Sequence, residues 1–355
     1  MSSNDRVDRR TFLTRGAIGA TSLALAPRLA QPAPGKAKSP QAGPARAKDT
    51  RSASQGADSR PDVKGDAKMD FVFTNDDAGG GDEEKSPVEC FRKIIEYLDG
   101  QNVKGTFFWM PRARSAGWIP GYERTEWKDI LHWTLDRGHD VQLHVSLGFL
   151  LGYPTSDTAE QERFGNWSLQ DKLKDCIDIY ERTFGGKPLV LRPHGDFRFY
   201  RFLANFEYDI EKIFEPLMRA GIQYISLPLS MSLKIFKTGK SEVGLRLPFK
   251  HSSGIVNYPW VVEDCTPRRS MKLDDAATEG ESEITFDQWL EMAKSAFDRH
   301  RKQHTGVGLM NTHWHSMCRD WDLTERFYDL LLDYMKANGC RFRTLKELIR
   351  AESEE

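Results

Sequence analysis

From Met69 onward, short apolar runs alternate with amphipathic stretches, and this alternation constrains the fold more than any other feature. Residues 70–74, 105–110, 140–145, 188–192, 223–227 and 307–312 read as strands, with a short last one at 342–344. Residues 244–248 and 255–262 read as further strands around an irregular insertion. Between them, 87–98, 127–137, 169–184, 209–220, 285–304 and 323–338 carry helical periodicity. Ser86 and Ser168 are placed as N-caps, and Gly138, Gly185, Gly221 and Gly339 as stops. Strand–helix alternation implies parallel pairing through right-handed crossovers. Seven or eight such units predict a closed or nearly closed (β/α) barrel, whose chemistry belongs at the C-terminal ends of the strands.

Those strand ends are rich in polar groups. Asn75-Asp76-Asp77-Ala78-Gly79 follows the first strand, and His144 ends the third. Arg192-Pro193-His194 follows the fourth, and Asn311-Thr312-His313-Trp314-His315 the late one. Adjacent carboxylates repel unless a cation or donors sit between them. Polar groups aimed into a barrel are costly unless they are paired or bound to a metal. Period-two alternation places Arg192 and His194 on one face of their strand, and Asn311, His313 and His315 on one face of theirs. These residues are therefore expected to converge on one site. His139, at the opposite end of its strand, is expected to be structural.

The N-terminal 68 residues differ in kind. Asp8-Arg9-Arg10-Thr11-Phe12-Leu13 resembles a twin-arginine export signal, followed by a mildly apolar run too short to span a bilayer. Residues 1–30 are read as that signal, 31–68 as a disordered Ala/Pro/Gly/Ser/Lys linker, and 69–352 as the barrel domain. The expected location is the periplasm or cell envelope, with the twin-arginine machinery as a partner. With 51 Lys and Arg against 52 Asp and Glu, the chain lacks the basic excess of a general nucleic-acid binder. No stretch of about 18 apolar residues predicts a transmembrane anchor. Five scattered cysteines without a Cys-x-x-Cys argue against a disulfide scaffold, a zinc ribbon or a thioredoxin-like centre.

The order of these motifs resembles the NodB-type polysaccharide deacetylases, carbohydrate esterase family 4, over roughly residues 70–349. Thr74-Asn75-Asp76-Asp77-Ala78 is similar to that family's Thr-Phe-Asp-Asp-Gly, and Gly105-Thr106-Phe107-Phe108 to its Ala-Thr-Phe-Phe. Gly138-His139-Asp140 matches its Gly-His-Glu, Arg192-Pro193 its Arg-Pro motif, and Thr344-Leu345-Lys346-Glu347-Leu348 its closing Thr-Leu-x-Glu-Leu. The resemblance implies a distorted (β/α)7–8 barrel and metal-dependent removal of acetyl groups from a carbohydrate. It implies Asp76 as base, Asp77 and His144 as metal ligands, His313 as acid, and Arg192 as the charge that holds Asp76 as a carboxylate. The expected ion is Zn2+, with Mn2+, Co2+, Ni2+ or Fe2+ as substitutes.

The sequence departs from the family where a second metal histidine is expected: Gly148 stands four residues after His144, and Ser146 stands in the alternative His-x-His place. His144-Val145-Ser146-Leu147 is similar instead to the YdjC-like sugar deacetylases, in which another histidine comes from the next strand end. His194 is the candidate for that ligand, with His315 next. Trp109 and Trp314 are candidates to stack on sugar rings, against an equal expectation that they fill the core. The competing readings are a carbohydrate-binding barrel without activity, or a deacetylase of small amino sugars.

Overall fold

The structure is a computed structural model and describes residues 69–79, 88–112, 123–151, 166–194, 210–229, 245–263 and 284–354. The export signal and linker, the Ser86 cap and Cys265 lie outside them.

Eleven strands form one sheet. Its inner path runs from β10 (His304–His313) through β1 (Met69–Ala78), β2 (Gly105–Trp109), β3 (Asp140–Ser146) and β4 (Val190–His194) to β5 (Tyr224–Ile225). β9 (Trp260–Glu263) pairs with β10 on one side and meets the segment after β5 through a Pro228–Trp260 bridge. The ring of seven parallel strands thus closes on itself, as a distorted (β/α) barrel. Around it, β6 (Leu245–Leu247) extends β10, β11 (Cys340–Phe342) pairs with the start of β1, and β8 (Val256–Asn257) pairs with β5. β7 (Phe249–Lys250) adds the single antiparallel pairing among the described residues.

Helices pack outside: α1 (Val88–Gly100), α2 (Thr125–Asp136), α3 (Leu147–Leu151), α4 (Leu169–Phe184), α5 (Phe214–Arg219), α6 (Phe286–Gln303), α7 (Trp314–Cys318), α8 (Trp321–Ala337) and α9 (Leu345–Glu354). The ends of α4 show how local chemistry sets a boundary. Ser168 accepts from the Asp171 N–H while the Asp171 side chain accepts from the Ser168 N–H, a reciprocal cap. At the other end Gly185 takes φ 75°, a left-handed conformation that a side chain would resist. The helix expected over 209–220 is instead a 3-10 turn, Ile210–Ile213, followed by α5. Pro216 lacks the N–H that would continue an α-helix back to residue 212.

Side-chain alternation divides the apolar residues into two cores. Phe71, Phe73, Phe107, Trp109, Val141, Leu143 and Leu191 face outward and join the helices. Val72, Phe108, Val190, Val307 and Leu309 form a second cluster within the ring, closed at its base by Leu345, Leu348 and Ile349 of α9. Each such buried Leu or Phe contributes about 1.5–3 kcal/mol. Gly308 leaves room for the outer layer, since a Cβ there would stand 2.4 Å from the Phe71 ring. Thr344 and Glu347 cap each other's backbone at the start of α9, so the closing Thr-Leu-x-Glu-Leu motif is a helix cap under the barrel.

The cysteines differ from expectation in one respect. Cys90 of α1 and Cys318 of α7 form a disulfide across 228 residues of sequence, while Cys176 and Cys340 are buried. One bridge is not a scaffold. It arises because the barrel brings α1 and α7 side by side, a proximity that no local pattern encodes. Among the described residues, no helix is long and apolar enough to cross a membrane.

Candidate metal centre

The site is assembled by the last residues of β1, β3, β4 and β10. The β1–β2 register advances from Asn75–Phe107 to Ala78–Trp109, so Asp76 and Asp77 oppose a single residue, Phe108. This is a β-bulge, a device that re-aims side chains beside functional sites. Within it Asp77 takes φ 64°, a left-handed conformation uncommon for any residue but glycine. The bulge lets two consecutive aspartates serve one cavity. In an unbroken strand they would point to opposite faces.

Asp77, His144 and His194 converge. Asp77 Oδ1 lies 3.3 Å from His144 Nε2 and 3.4 Å from His194 Nδ1, and the two histidine nitrogens are 3.2 Å apart. Asp77 is fully buried and His144 nearly so, while His194 reaches toward the surface. The donor set fits a divalent ion in three ways. One carboxylate and two imidazoles are a zinc-type set. Ligand atoms at two corners of a tetrahedron about 2.0–2.1 Å from zinc stand about 3.3–3.4 Å apart, the size of this triangle. Third, His144 Nδ1 is 2.8 Å from the Arg192 carbonyl oxygen. Donation there places the ring proton on Nδ1 and leaves the Nε2 lone pair for the cluster, as the supporting partners of metal-bound histidines do.

Register explains the departure from the resembled family. β3 and β4 align His144 with Arg192 and Ser146 with His194. His194 therefore stands beside Ser146, the place where a second imidazole is missing from β3, and brings one from the neighbouring strand. Gly148 is buried in α3.

Beside this triangle lies a buried charge pair. Arg192 Nη1 donates to Asp76 Oδ1 at 2.6 Å, to Thr74 Oγ1 at 2.8 Å and to Asn311 Oδ1 at 2.9 Å, while Nη2 donates to Ser226 Oγ at 2.8 Å. Its guanidinium carbon sits 4.0 Å from the centre of the Phe108 ring. Burial lowers the Arg192 pKa, and the charge and hydrogen bond of Asp76 oppose that shift. A guanidinium with several oxygen partners and an aromatic face keeps its charge inside a barrel.

His313 ends β10, paired in register with Asp76 and partly exposed at the mouth. Alternation does not carry through to His315, because β10 ends at His313 and His315 belongs to α7. His315 nonetheless approaches the cluster, with Nδ1 3.8 Å from Asp77 Oδ2.

The two tryptophans do not present faces to a sugar. Trp109 is fully buried on the outer side of β2, its ring 5.0 Å from that of Phe184 on α4. Trp314 is 1% exposed and packs at 4.7 Å against Trp127. Of the two equal expectations for these tryptophans, this burial favours core filling over sugar stacking. Trp109 shares the outward face of β2 with Phe107, and Trp314 turns away where the strand becomes helix. Sequence reading also missed Thr74, Asn311 and Ser226 as partners of Arg192. Same-face spacing of Thr74 with Asp76 and of Asn311 with His313 was available as a signal; Ser226, just after β5, offered none.

No protein-family model matches this sequence, and no curated protein matches it. Solved structures do resemble it. A protein described as a polysaccharide deacetylase from Mycobacterium smegmatis is 16% identical, with a TM-score of 0.50 over 81% of this chain and 92% of its own. The catalytic domain of a peptidoglycan N-acetylglucosamine deacetylase from Eubacterium rectale is 14% identical, with a TM-score of 0.42 over 79% and 90%. A family 4 acetyl xylan esterase from Clostridium thermocellum, in complex with a cobalt ion, is 13% identical, with a TM-score of 0.39 over 80% and 92%. The chain thus has the fold of the NodB-type polysaccharide deacetylases.

Proposed function

We propose that this protein is an exported, divalent-metal-dependent hydrolase that removes acetyl groups from an N- or O-acetylated saccharide. The observation that carries the reading is the Asp77–His144–His194 donor triangle, set one residue from the buried Asp76–Arg192 pair at the barrel mouth. Asp77, His144 and His194 would hold the ion, with Zn2+ suited best and Mn2+, Co2+, Ni2+ or Fe2+ accepted. When bound, such an ion polarises the acetyl carbonyl and lowers the pKa of water at its open position.

The chain's own residues supply the rest. Asp76 takes the proton of the attacking water, and Arg192 fixes its carboxylate by a charged hydrogen bond. Thr74, Asn311 and Ser226 hold Arg192 so that it cannot turn away from Asp76. His313 gives a proton to the departing nitrogen or oxygen, a task worth about 10²–10⁴ in rate. Its partial exposure at the mouth lets it reach a leaving group that stays outside the barrel. Residues 1–68 act as export signal and tether. The Cys90–Cys318 bridge supports an oxidising destination, where disulfides persist.

Elemental analysis of the purified protein, followed by acetate release from chitin oligomers, peptidoglycan and acetyl-xylan, tests the reading. One divalent ion per chain and acetate release from one of these substrates are expected. Asp77→Ala should lose the ion and the activity together. A chain that carries no stoichiometric metal and releases no acetate is a binding barrel instead, and overturns the assignment.

A further inference from the structure

The bulge that creates the donor triangle also creates a problem. Asp77 lies inside the bulge, where the β1–β2 register is interrupted. A buried backbone carbonyl requires a donor. An indole supplies one: Trp314 Nε1 donates to the Asp77 carbonyl oxygen at 2.8 Å. We propose that Trp314 is a positioning residue for the metal-ligating Asp77, its N–H holding the left-handed backbone that aims Oδ1 at His144 and His194. This inference rests on the metal reading above.

Three observations make the indole a fixed anchor. Its ring packs at 4.7 Å against Trp127 of α2 and at 6.4 Å against Phe91 of α1, and is almost wholly buried. Trp314 is the first residue of α7, directly after β10, so its backbone position is set by the strand that pairs with β1. The other end of α7 is tied by Cys318 to Cys90, the residue next to Phe91. The short helix is therefore held at both ends, and it presents the indole N–H to the carbonyl of Asp77. The same helix places His315 beside the second carboxylate oxygen of Asp77. The aspartate is thus approached by α7 from its backbone and from its side chain. Trp314, which sequence leaves equally open between sugar stacking and core filling, acts through Asp77.

The consequence is a metal affinity that depends on one indole proton. Loss of a partner that orients a ligand typically weakens metal binding about 10–100-fold. The test compares wild type with Trp314→Phe, which keeps an aromatic ring but removes the donor. A second variant carries 3-benzothienylalanine at position 314, in which sulfur replaces the N–H within a ring of the same shape. Zinc affinity is measured by competition with a chromophoric chelator, and the ligand field by the visible absorption of the Co2+ form.

Both variants are expected to bind zinc about 10–100-fold more weakly and to shift the Co2+ bands, while the metal-free benzothienyl protein melts near wild type. Zinc affinity within about twofold of wild type in the benzothienyl protein, with an unchanged Co2+ spectrum, overturns the role of Trp314. If Trp314→Phe fails to fold, the isosteric variant alone decides. A wild type that takes up neither zinc nor cobalt sinks the metal reading itself, and with it this inference. The two failures are therefore distinguishable.

Discussion

The two ends of the barrel are built from the same residue types and put them to opposite use. At the base, His139 Nδ1 accepts from the Gly105 N–H at 3.0 Å, and its Nε2 meets Asp99 at 3.2 Å. Asp140 accepts from Gln142 at 2.8 Å and from the Lys346 N–H at 3.3 Å, and Thr106 Oγ1 accepts from the Leu345 N–H at 2.9 Å. Each group there is spent on backbone or on a neighbour in the wall. At the mouth, Asp77, His144 and His194 point at one another, and Asp76 meets Arg192 across the ring. A histidine or aspartate closed by local partners is structural. The same residues aimed from different strands at a shared point are a site. The distinguishing property is convergence, not residue type.

The largest effect expected on this contrast comes from Arg192. Arg192→Leu leaves Asp76 buried without its partner, and removing one member of a buried ion pair costs about 3–5 kcal/mol. Chemical denaturation should show that loss, and acetate release should fall with it because Asp76 is no longer fixed. Arg192→Lys keeps the charge but cannot span Thr74, Asp76, Asn311 and Ser226 together, and should recover stability only in part. Full stability in Arg192→Leu would mean that the mouth is as locally closed as the base.

How much of this contrast sequence could show depends on whether the information was local. The ends of α4 were readable because Ser168 and Gly185 act within one turn. The strand ends were readable because period-two alternation is local, and it put Arg192 with His194 and Asn311 with His313. Three features were not readable, because each depends on neighbours distant in sequence. The bulge at Asp76–Asp77 exists only against β2, the Cys90–Cys318 bridge joins elements 228 residues apart, and the pairing of His194 with the Ser146 position needs the β3–β4 register. The tryptophans stayed open between sugar stacking and core filling for the same reason. Position on a strand end does not reveal which side of a bulge or helix start the ring will take.

The base offers smaller, opposite-signed tests. Burial pushes the His139 pKa down to about 4 from 6.5, chiefly by desolvation and the nearby Lys104, against the pull of Asp99. Between those values the unfolded chain binds more protons than the folded one. The stability it contributes is present above pH 6.5 and is lost as pH falls toward 4, by about 3 kcal/mol in all. His139→Gln removes that dependence. Its denaturation midpoint should fall less than that of wild type between pH 6.5 and 4.

Asp140 sharpens the comparison from the other side. Burial raises its pKa to about 6 from 3.8, against the lowering effect of its bonds to Gln142, Lys346 and Thr106. Here the folded chain binds the extra proton, so the contribution is present below pH 3.8 and is lost as pH rises through 6, by somewhat under about 3 kcal/mol. The two windows overlap between pH 4 and 6 with opposite slopes, so in wild type they largely cancel. Asp140→Asn removes one of them. Stability of that variant should rise more steeply with pH across pH 4–6 than wild type, while His139→Gln tilts the other way. Neither change should alter zinc affinity, because both residues lie at the base of the barrel, at the other end of β3 from His144. A shift in metal binding from either would erase the division between base and mouth.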